Sequence, residues 1–375
     1  MRIIFFTNHF FPSVGGVQWS VLRTAEALVR RGHHVTVVTE TPTAAAEDDR
    51  AYSFTVMRFR VPVRRPFTRF FYWRWMWTQR ACFATADVLH FHDTIPFFAW
   101  FLPLRLLIRR PRYAVTFHGY EHWPIRLRHR VSRAITARCC QARFAVGDYV
   151  RAMYRHPVDA VYIGAPVRPV TVAGKGSDAV FAYAGRFAAD TEILPLLRAL
   201  SRAADRGTAP VIARLAGDGP LRGEIARLAN DRLRIEFTGV RMDTTALYDG
   251  ASHIIATGFL GIFEAFASGI PVIVPACNPL RRRYVESIPG AERMLTILRS
   301  AGESEDFFRD AIRDHGHALQ DEQTQAAAAF VSHLSWDDIA ELCEQWYTPA
   351  ASGTPRATTQ WQVTRQRIDE THAHR

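Results

Sequence analysis

Residues 2–7 are a short apolar run, and beyond the loop Phe11-Pro12-Ser13-Val14-Gly15-Gly16 the apolar positions change period. Val17, Val21, Ala25, Leu28 and Val29 recur at three- and four-residue spacing, which predicts a helix with one buried face. Arg30-Arg31-Gly32 close it, with cations in the last turn and glycine just beyond. Val35 to Val38 then form a β-branched run, as a strand covered on both faces requires. Strand, helix and strand recur through Asp87–His90 and Tyr113–Phe117, which predicts an open parallel sheet with crossover helices. A polar stretch, Thr171 to Asp178, breaks the pattern and reads as an interdomain linker.

The alternation restarts with strands at 179–184, 211–216, 234–237, 253–256 and 271–274. Helices are expected between them at 194–204, 221–228, 244–250 and 263–267. Two doubly wound, Rossmann-like α/β units in tandem follow, one over 1–170 and one over 178–330. A further helix over 331–349 is expected to pack back on the first unit, and the polar, aperiodic residues 350–375 read as a disordered tail. In such sheets ligands gather at the carboxyl ends of the strands, so a cleft between the units is the expected site.

Composition adds a compartment and a partner. With 48% hydrophobic and 22% charged residues the chain is ordinary globular material. No run approaches the ~20 apolar residues that cross a bilayer, and the start is too short and too soon polar for a signal peptide. Five cysteines without metal-ligand spacing read as buried thiols, so a cytoplasmic protein is expected. Residues 1–170 hold 25 arginines and 10 acids, a net charge of +15, whereas the remainder is net −4. That asymmetry points the first unit at an anionic partner.

Four strand-end loops carry the chemistry of an anion and sugar site. Gly15-Gly16 precede a helix, where backbone amides face a ligand at the positive helix end; a plain turn is the other reading. Gly185-Arg186 places a guanidinium that can grip phosphate bidentately, or merely pair on the surface. Gly217-Asp218-Gly219-Pro220 reads as mainly structural. The run Phe263-Glu264-Ala265-Phe266-Ala267-Ser268-Gly269-Ile270-Pro271 sets a carboxylate at the start of a helix, suited to ribose hydroxyls or simply to the helix dipole.

Together these stretches resemble the retaining GT-B glycosyltransferases of family 4, from Met1 to about Tyr347. The matching pieces are Phe11–Gly16, Ala86–His92, Thr116–Gly119, Gly185–Phe187, Gly217–Leu221, Phe237–Val240, Phe263–Val274 and Ser335-Trp336. The resemblance implies that Gly15 and Gly16 lie beside the donor diphosphate and that His118 hydrogen-bonds the transferred sugar. It implies that Arg186 neutralises the departing diphosphate, Glu264 holds the ribose and Val240 borders the base. His118 and Arg186 are then the catalytic pair, and no metal or other cofactor is required. The implied substrates are a nucleoside-diphosphate sugar and a lipid-linked or polysaccharide acceptor of the cell envelope.

Three positions depart from the family. Thr191 stands where a lysine is expected, Glu192 follows in place of glycine, and Ala256 replaces the first of two paired glutamates. Losing one preorganised electrostatic contact typically costs ~3 kcal/mol at the transition state. A non-catalytic GT-B homologue that binds a nucleotide or a partner enzyme is therefore the competing reading. A dinucleotide oxidoreductase is disfavoured, because Arg222 occupies the third glycine of the fingerprint.

Between Ala51 and Ala86 no acid occurs, and arginines alternate with aromatics. Arg64, Arg65, Arg69, Trp73, Arg74, Trp75 and Trp77 suit an anionic membrane surface, which would hold the protein peripherally at the inner face of the membrane. Inward packing of the aromatics is the competing reading, and single-stranded nucleic acid is a third. A second cationic run, Arg126 to Arg143, favours the membrane. His90 and His92 sit at a strand end and read as cleft-lining, with no third ligand in register for a metal. Glu121 and His122 are candidate acceptor contacts or, equally, ordinary loop residues.

Overall fold

The computed structural model describes residues 1–41, 49–60, 68–120, 123–167, 179–207, 209–313, 320–349 and 356–364. The expected linker at 171–178 and the candidates Arg64, Arg65, Glu121 and His122 lie outside the described residues. The chain divides into two compact units, Met1–Gly164 with Ser335–Arg375, and Ala165–Leu334.

The first unit is a seven-stranded sheet of β1 (Arg2–Thr7), β2 (His34–Glu40), β3 (Thr55–Phe59), β4 (Val88–His92), β5 (Arg112–Phe117), β6 (Ala142–Val146) and β7 (Ala160–Tyr162). The order is β3-β2-β1-β4-β5-β6-β7, and each pairing is parallel. Ile3, Ile4, Phe5 and Phe6 of β1 are all buried, as a central strand between two helical layers demands. The helix Gly16–Arg30 covers one face with Val21, Ala25 and Leu28. Strands β3 and β6 escape the hydrophobic pattern for separate reasons. In β3 only Phe59 is fully buried, as befits an edge strand. In β6, Arg143 disguises the run; its guanidinium is held bidentately by Asp159 at 2.6 and 2.7 Å.

The helix Trp336–Tyr347 belongs to this unit and packs on Gly16–Arg30. Ser335 caps it through the Asp337 amide, and Arg30–Asp337 (3.1 Å) and Arg31–Glu344 (2.7 Å) ion pairs tie the two helices. Residues 356–364 fall inside the expected tail, yet they are built into the unit. Val161 donates its amide to Thr358 O at 2.8 Å, and the buried Gln360 side chain bonds Gly164 O and the Ile163 amide. Backbone pairing of this kind leaves no apolar period for a sequence to display.

The second unit is a six-stranded parallel sheet: β8 (Ala179–Ala184), β9 (Val211–Ala216), β10 (Leu233–Gly239), β11 (His253–Ile255), β12 (Val272–Pro275) and β13 (Thr296–Leu298). Its order is β10-β9-β8-β11-β12-β13. The helix Ile193–Arg206 buries Leu196, Leu197, Leu200, Ala203 and Ala204 against it. In both units the strand order reverses beside the first strand, at β1/β4 and at β8/β11. Loops leaving those strands diverge there and open a crevice for a ligand.

Candidate active site

The candidate residues of the first unit are carried by the loops after β1, β4 and β5. Gly15 caps the helix Gly16–Arg30 with an extended backbone. A Cβ added at Gly16 would meet nothing within 4 Å, so internal packing does not call for a glycine there. Gly15 would meet only the end of the Gln18 side chain. Both leave the first-turn amides open to close approach from outside.

His118 follows β5 and is half-buried. Its amide donates to Asp93 Oδ1 at 3.0 Å, and its Nε2 lies 2.8 Å from His92 Nδ1. His90 continues the stack, 4.6 Å from His92 between ring centres, and bonds Thr116 Oγ1 and the Tyr347 hydroxyl. Burial lowers His90 and His118 to about 3, with the Arg133 charge adding to the effect on His118. His92 is also held well below the usual histidine value by burial. All three are neutral imidazoles at physiological pH.

His90 and His92 do not line a cleft. They are only 1% and 2% exposed, and they buttress His118 from within the unit. Arg133 is likewise internal, although it lies in the cationic run Arg126–Arg143. It bonds Gly119 O at 2.6 Å, reaches Asp93 at 3.7 Å and stacks on Tyr154.

The candidate residues of the second unit are carried by the loops after β8, β9, β10 and β11. Three strand-end loops are laced together by backbone bonds: Gly185 N to Ala216 O, Phe187 N to Asp218 O, and Gly217 N to Gly239 O. Gly217 and Gly219 have φ of 138° and 155°, and a Cβ at Gly217 would lie 1.9 Å from Gly185 O. No other residue fits there.

Arg186 emerges from this lacing with a 69% exposed side chain paired to Asp190 at 2.5 Å. An exposed pair of that kind is worth ~0–1 kcal/mol, so an incoming phosphate can displace it. Glu264 does not start its helix, as the sequence suggested. The helix runs Phe259–Ser268 with Gly258 as its cap, which puts Glu264 in the middle, accepting from Thr244 Oγ1 at 3.3 Å. That removes the dipole explanation for the carboxylate. Val240 follows β10 and is 64% exposed.

The departures have structural accounts. Thr191 spends its hydroxyl on Ala188 O (2.7 Å) and Arg186 O (3.3 Å) and presents no charge. Ala256 is 2% exposed. Glu192, where the family resemblance leads one to expect glycine, adopts φ 57°, a left-handed conformation that favours glycine and costs another residue about 1–2 kcal/mol. Its carboxylate offsets this by accepting from Cys277 N, Asn278 N and Asn278 Nδ2 at 3.0, 3.2 and 2.7 Å.

A cavity of about 580 Å³ lined by Arg2, His34, Thr55 and Ala86 lies at the amino ends of β1 and its neighbours, the end of that sheet away from Gly15 and His118. It takes no part in the site. Among the described residues no cluster of three or more histidines, cysteines or acids could hold a metal ion.

Two family models match the chain: Glycosyltransferase Family 4 over residues 14–165 and Glycosyl transferases group 1 over residues 178–313. The chain belongs to the GT-B glycosyltransferases. Solved structures share the fold of this GT-B protein. Anabaena HepE in complex with UDP and glucose matches with a TM-score of 0.69 and 14% identity over 100% of both chains. Sucrose-phosphate synthase from Thermosynechococcus elongatus matches at 0.72 and 17%, covering 92% of this chain and 98% of its own. WaaG, a glycosyltransferase involved in lipopolysaccharide biosynthesis, matches at 0.63 and 15%, covering 93% and 100%. No curated protein matches by sequence.

Proposed function

We propose that this GT-B glycosyltransferase moves a sugar from a nucleoside-diphosphate donor to a lipid-linked or polysaccharide acceptor of the cell envelope, retaining the anomeric configuration and using no metal ion. The observation that carries the donor half is the meeting of Gly185-Arg186 with the Gly258-capped helix at the β8/β11 switch point. Arg186 takes the diphosphate in place of Asp190 and neutralises it as it leaves. Glu264 receives ribose hydroxyls, and Val240 borders the base. The open first turn at Gly15 and Gly16 adds backbone donors. His118, neutral and braced by His92, hydrogen-bonds the transferred sugar and needs no protonation change to do so. Catalysis of this kind is positioning plus electrostatic stabilisation. HepE in complex with UDP and glucose supports the donor class, and WaaG supports the acceptor class.

The acceptor side is proposed to work at an anionic membrane surface, with the protein held peripherally at its inner, cytoplasmic face. Among the described residues no helix is long and apolar enough to cross a membrane. The helix Thr68–Thr78 has two faces. Tyr72 and Trp75 turn inward, Trp75 stacking on Phe59 at 4.7 Å, so Trp75 leaves the set of membrane candidates. Arg69, Phe70, Trp73, Arg74 and Trp77 face outward, with Phe70, Trp73 and Trp77 59%, 39% and 49% exposed. The same unit shows a second apolar stripe, Leu127, Val131 and Ile135, on the arginine-rich helix Leu127–Cys139. Exposed aromatics and leucines amid arginines fit a lipid interface better than water.

The uncharged Thr191 and the buried Ala256 favour a second reading, a nucleotide-binding homologue without turnover. The donor assignment itself is tested by calorimetry with uridine, guanosine and adenosine diphosphates. One should bind, and Arg186→Ala should weaken it by ~1.5–3 kcal/mol, the worth of a charge-assisted hydrogen bond. Unchanged affinity would remove Arg186 from the site.

A further inference from the structure

We propose that Arg281 is the second cation of the donor diphosphate site, supplied from the segment after β12 in place of the lysine that Thr191 displaces. The inference rests on the donor assignment above and names a residue that the sequence motifs do not reach.

Arg281 lies on the helix Pro279–Glu286 and is 2% exposed. Its Nη1 donates to Thr257 O at 2.7 Å, and its guanidinium carbon sits 4.8 Å from the Tyr284 ring centre. Nε and Nη2 are shut off from solvent and have no hydrogen-bond partner, and among the described residues no carboxylate lies within ion-pair distance. A buried guanidinium without a counter-charge is costly, and a stable fold has little reason to keep one. Its neighbours supply a reason.

Thr257 and Gly258 leave β11 at the switch point. The Tyr284 hydroxyl accepts from Phe259 N at 2.6 Å and so fixes the first turn of the helix Phe259–Ser268. A Cβ at Gly261 in that first turn would meet nothing within 4 Å, which leaves room for a ligand above it. Tyr183 ties the other side. Its hydroxyl donates to Arg186 O at 2.9 Å and lies 3.4 Å from Thr257 Oγ1. Thr257 thus links Arg281, through its carbonyl, to the tyrosine that holds Arg186 O, the same carbonyl that Thr191 reaches at 3.3 Å. Arg281 therefore reaches the same tyrosine as position 191, where the family resemblance leads one to expect lysine. It approaches from the β11 side, whereas Arg186 approaches from β8.

Glu192 completes the exchange. Standing where glycine is expected, it grips the Cys277-Asn278 turn by three hydrogen bonds, and Asn278 in turn caps the helix that carries Arg281. The two departures at 191 and 192 are thus coupled: one removes a cation, and the other anchors the segment that returns it. A bound diphosphate is the counter-charge that Arg281 lacks.

The test is calorimetry of uridine, guanosine and adenosine diphosphates, each beside its parent nucleoside, with wild type, Arg281→Gln, and Arg281→Gln combined with Thr191→Lys. Arg281→Gln should weaken the diphosphate at least tenfold and the nucleoside less than twofold, and the added lysine should recover most of the loss. Equal diphosphate affinity, or a parallel loss for the nucleoside, would show a purely structural arginine and overturn the proposal. If Arg281→Gln does not fold, the Nε–H resonance of Arg281 in wild type, assigned with Arg281→Lys, decides. It should move on adding diphosphate and stay on adding nucleoside; no movement overturns the proposal. A wild type that binds none of the three diphosphates refutes the donor assignment itself, a distinct result from a wild type that binds while Arg281→Gln binds equally.

Discussion

Single residues separate what a motif announces from what packing decides. His118 is announced by its loop, but its charge state is not, because that depends on burial and on the Arg133 charge, both set by segments arriving from elsewhere in the chain. The three neutral imidazoles carry a consequence for stability. Unfolded histidines titrate near 6.5, whereas His90 and His118 titrate at about 3 in the fold and His92 is lowered as well. Below pH 6.5 the unfolded chain takes up protons that the folded one refuses, so stability falls as pH falls, by about 2 kcal/mol at pH 5 for each of His90 and His118. All nine tryptophans lie in the first unit, so tryptophan fluorescence follows that unit alone. The urea midpoint it reports should drop between pH 7.5 and pH 5, and replacing His90 by Asn should reduce the drop. A midpoint that does not move would mean that the histidines are protonated in the fold.

Elements were legible where they are long and regular. Central strands and the helix Gly16–Arg30 show themselves as apolar runs and a three-to-four-residue period, because burial on a sheet imposes both. The edge strand β3, the arginine-bearing β6 and the segment 356–364 did not, since each is held by backbone or charge pairing rather than by an apolar pattern. Arg281 was lost for a related reason. In Arg281-Arg282-Arg283 composition is uniform, and only the helical face shared with Tyr284 and Val285 marks the first of the three as buried.

The helix Thr68–Thr78 has an inner aromatic face, as inward packing expects, and an outer arginine and tryptophan face, which the membrane proposal uses. If the outer face meets lipid, the protein should sediment with anionic vesicles at low salt and not with neutral ones. Replacing Arg69 and Arg74 by Gln should release it, and 1 M salt, where screening shortens to ~3 Å, should weaken the attachment. Equal recovery in the supernatant with both lipids at low salt would remove the membrane from the account.

For the whole molecule, tandem Rossmann-like units and the ordered series of strand-end loops were readable from the chain, and fold comparison places them among GT-B glycosyltransferases. Turnover was not readable, because Thr191, Glu192 and Ala256 break the motif where the transition state would form. Whether Arg281 and the histidine stack make up that difference is a question of rate. The direct measurement incubates the protein with labelled nucleotide sugars, one donor at a time, and a lipid and polysaccharide extract of envelope, then follows the label into acceptor. One donor should support transfer with retained anomeric configuration, and His118→Ala should lower the rate ~100-fold with donor affinity little changed. No transfer and no hydrolysis from any donor, in a protein that still binds nucleoside diphosphate, would make it a binding homologue and not an enzyme.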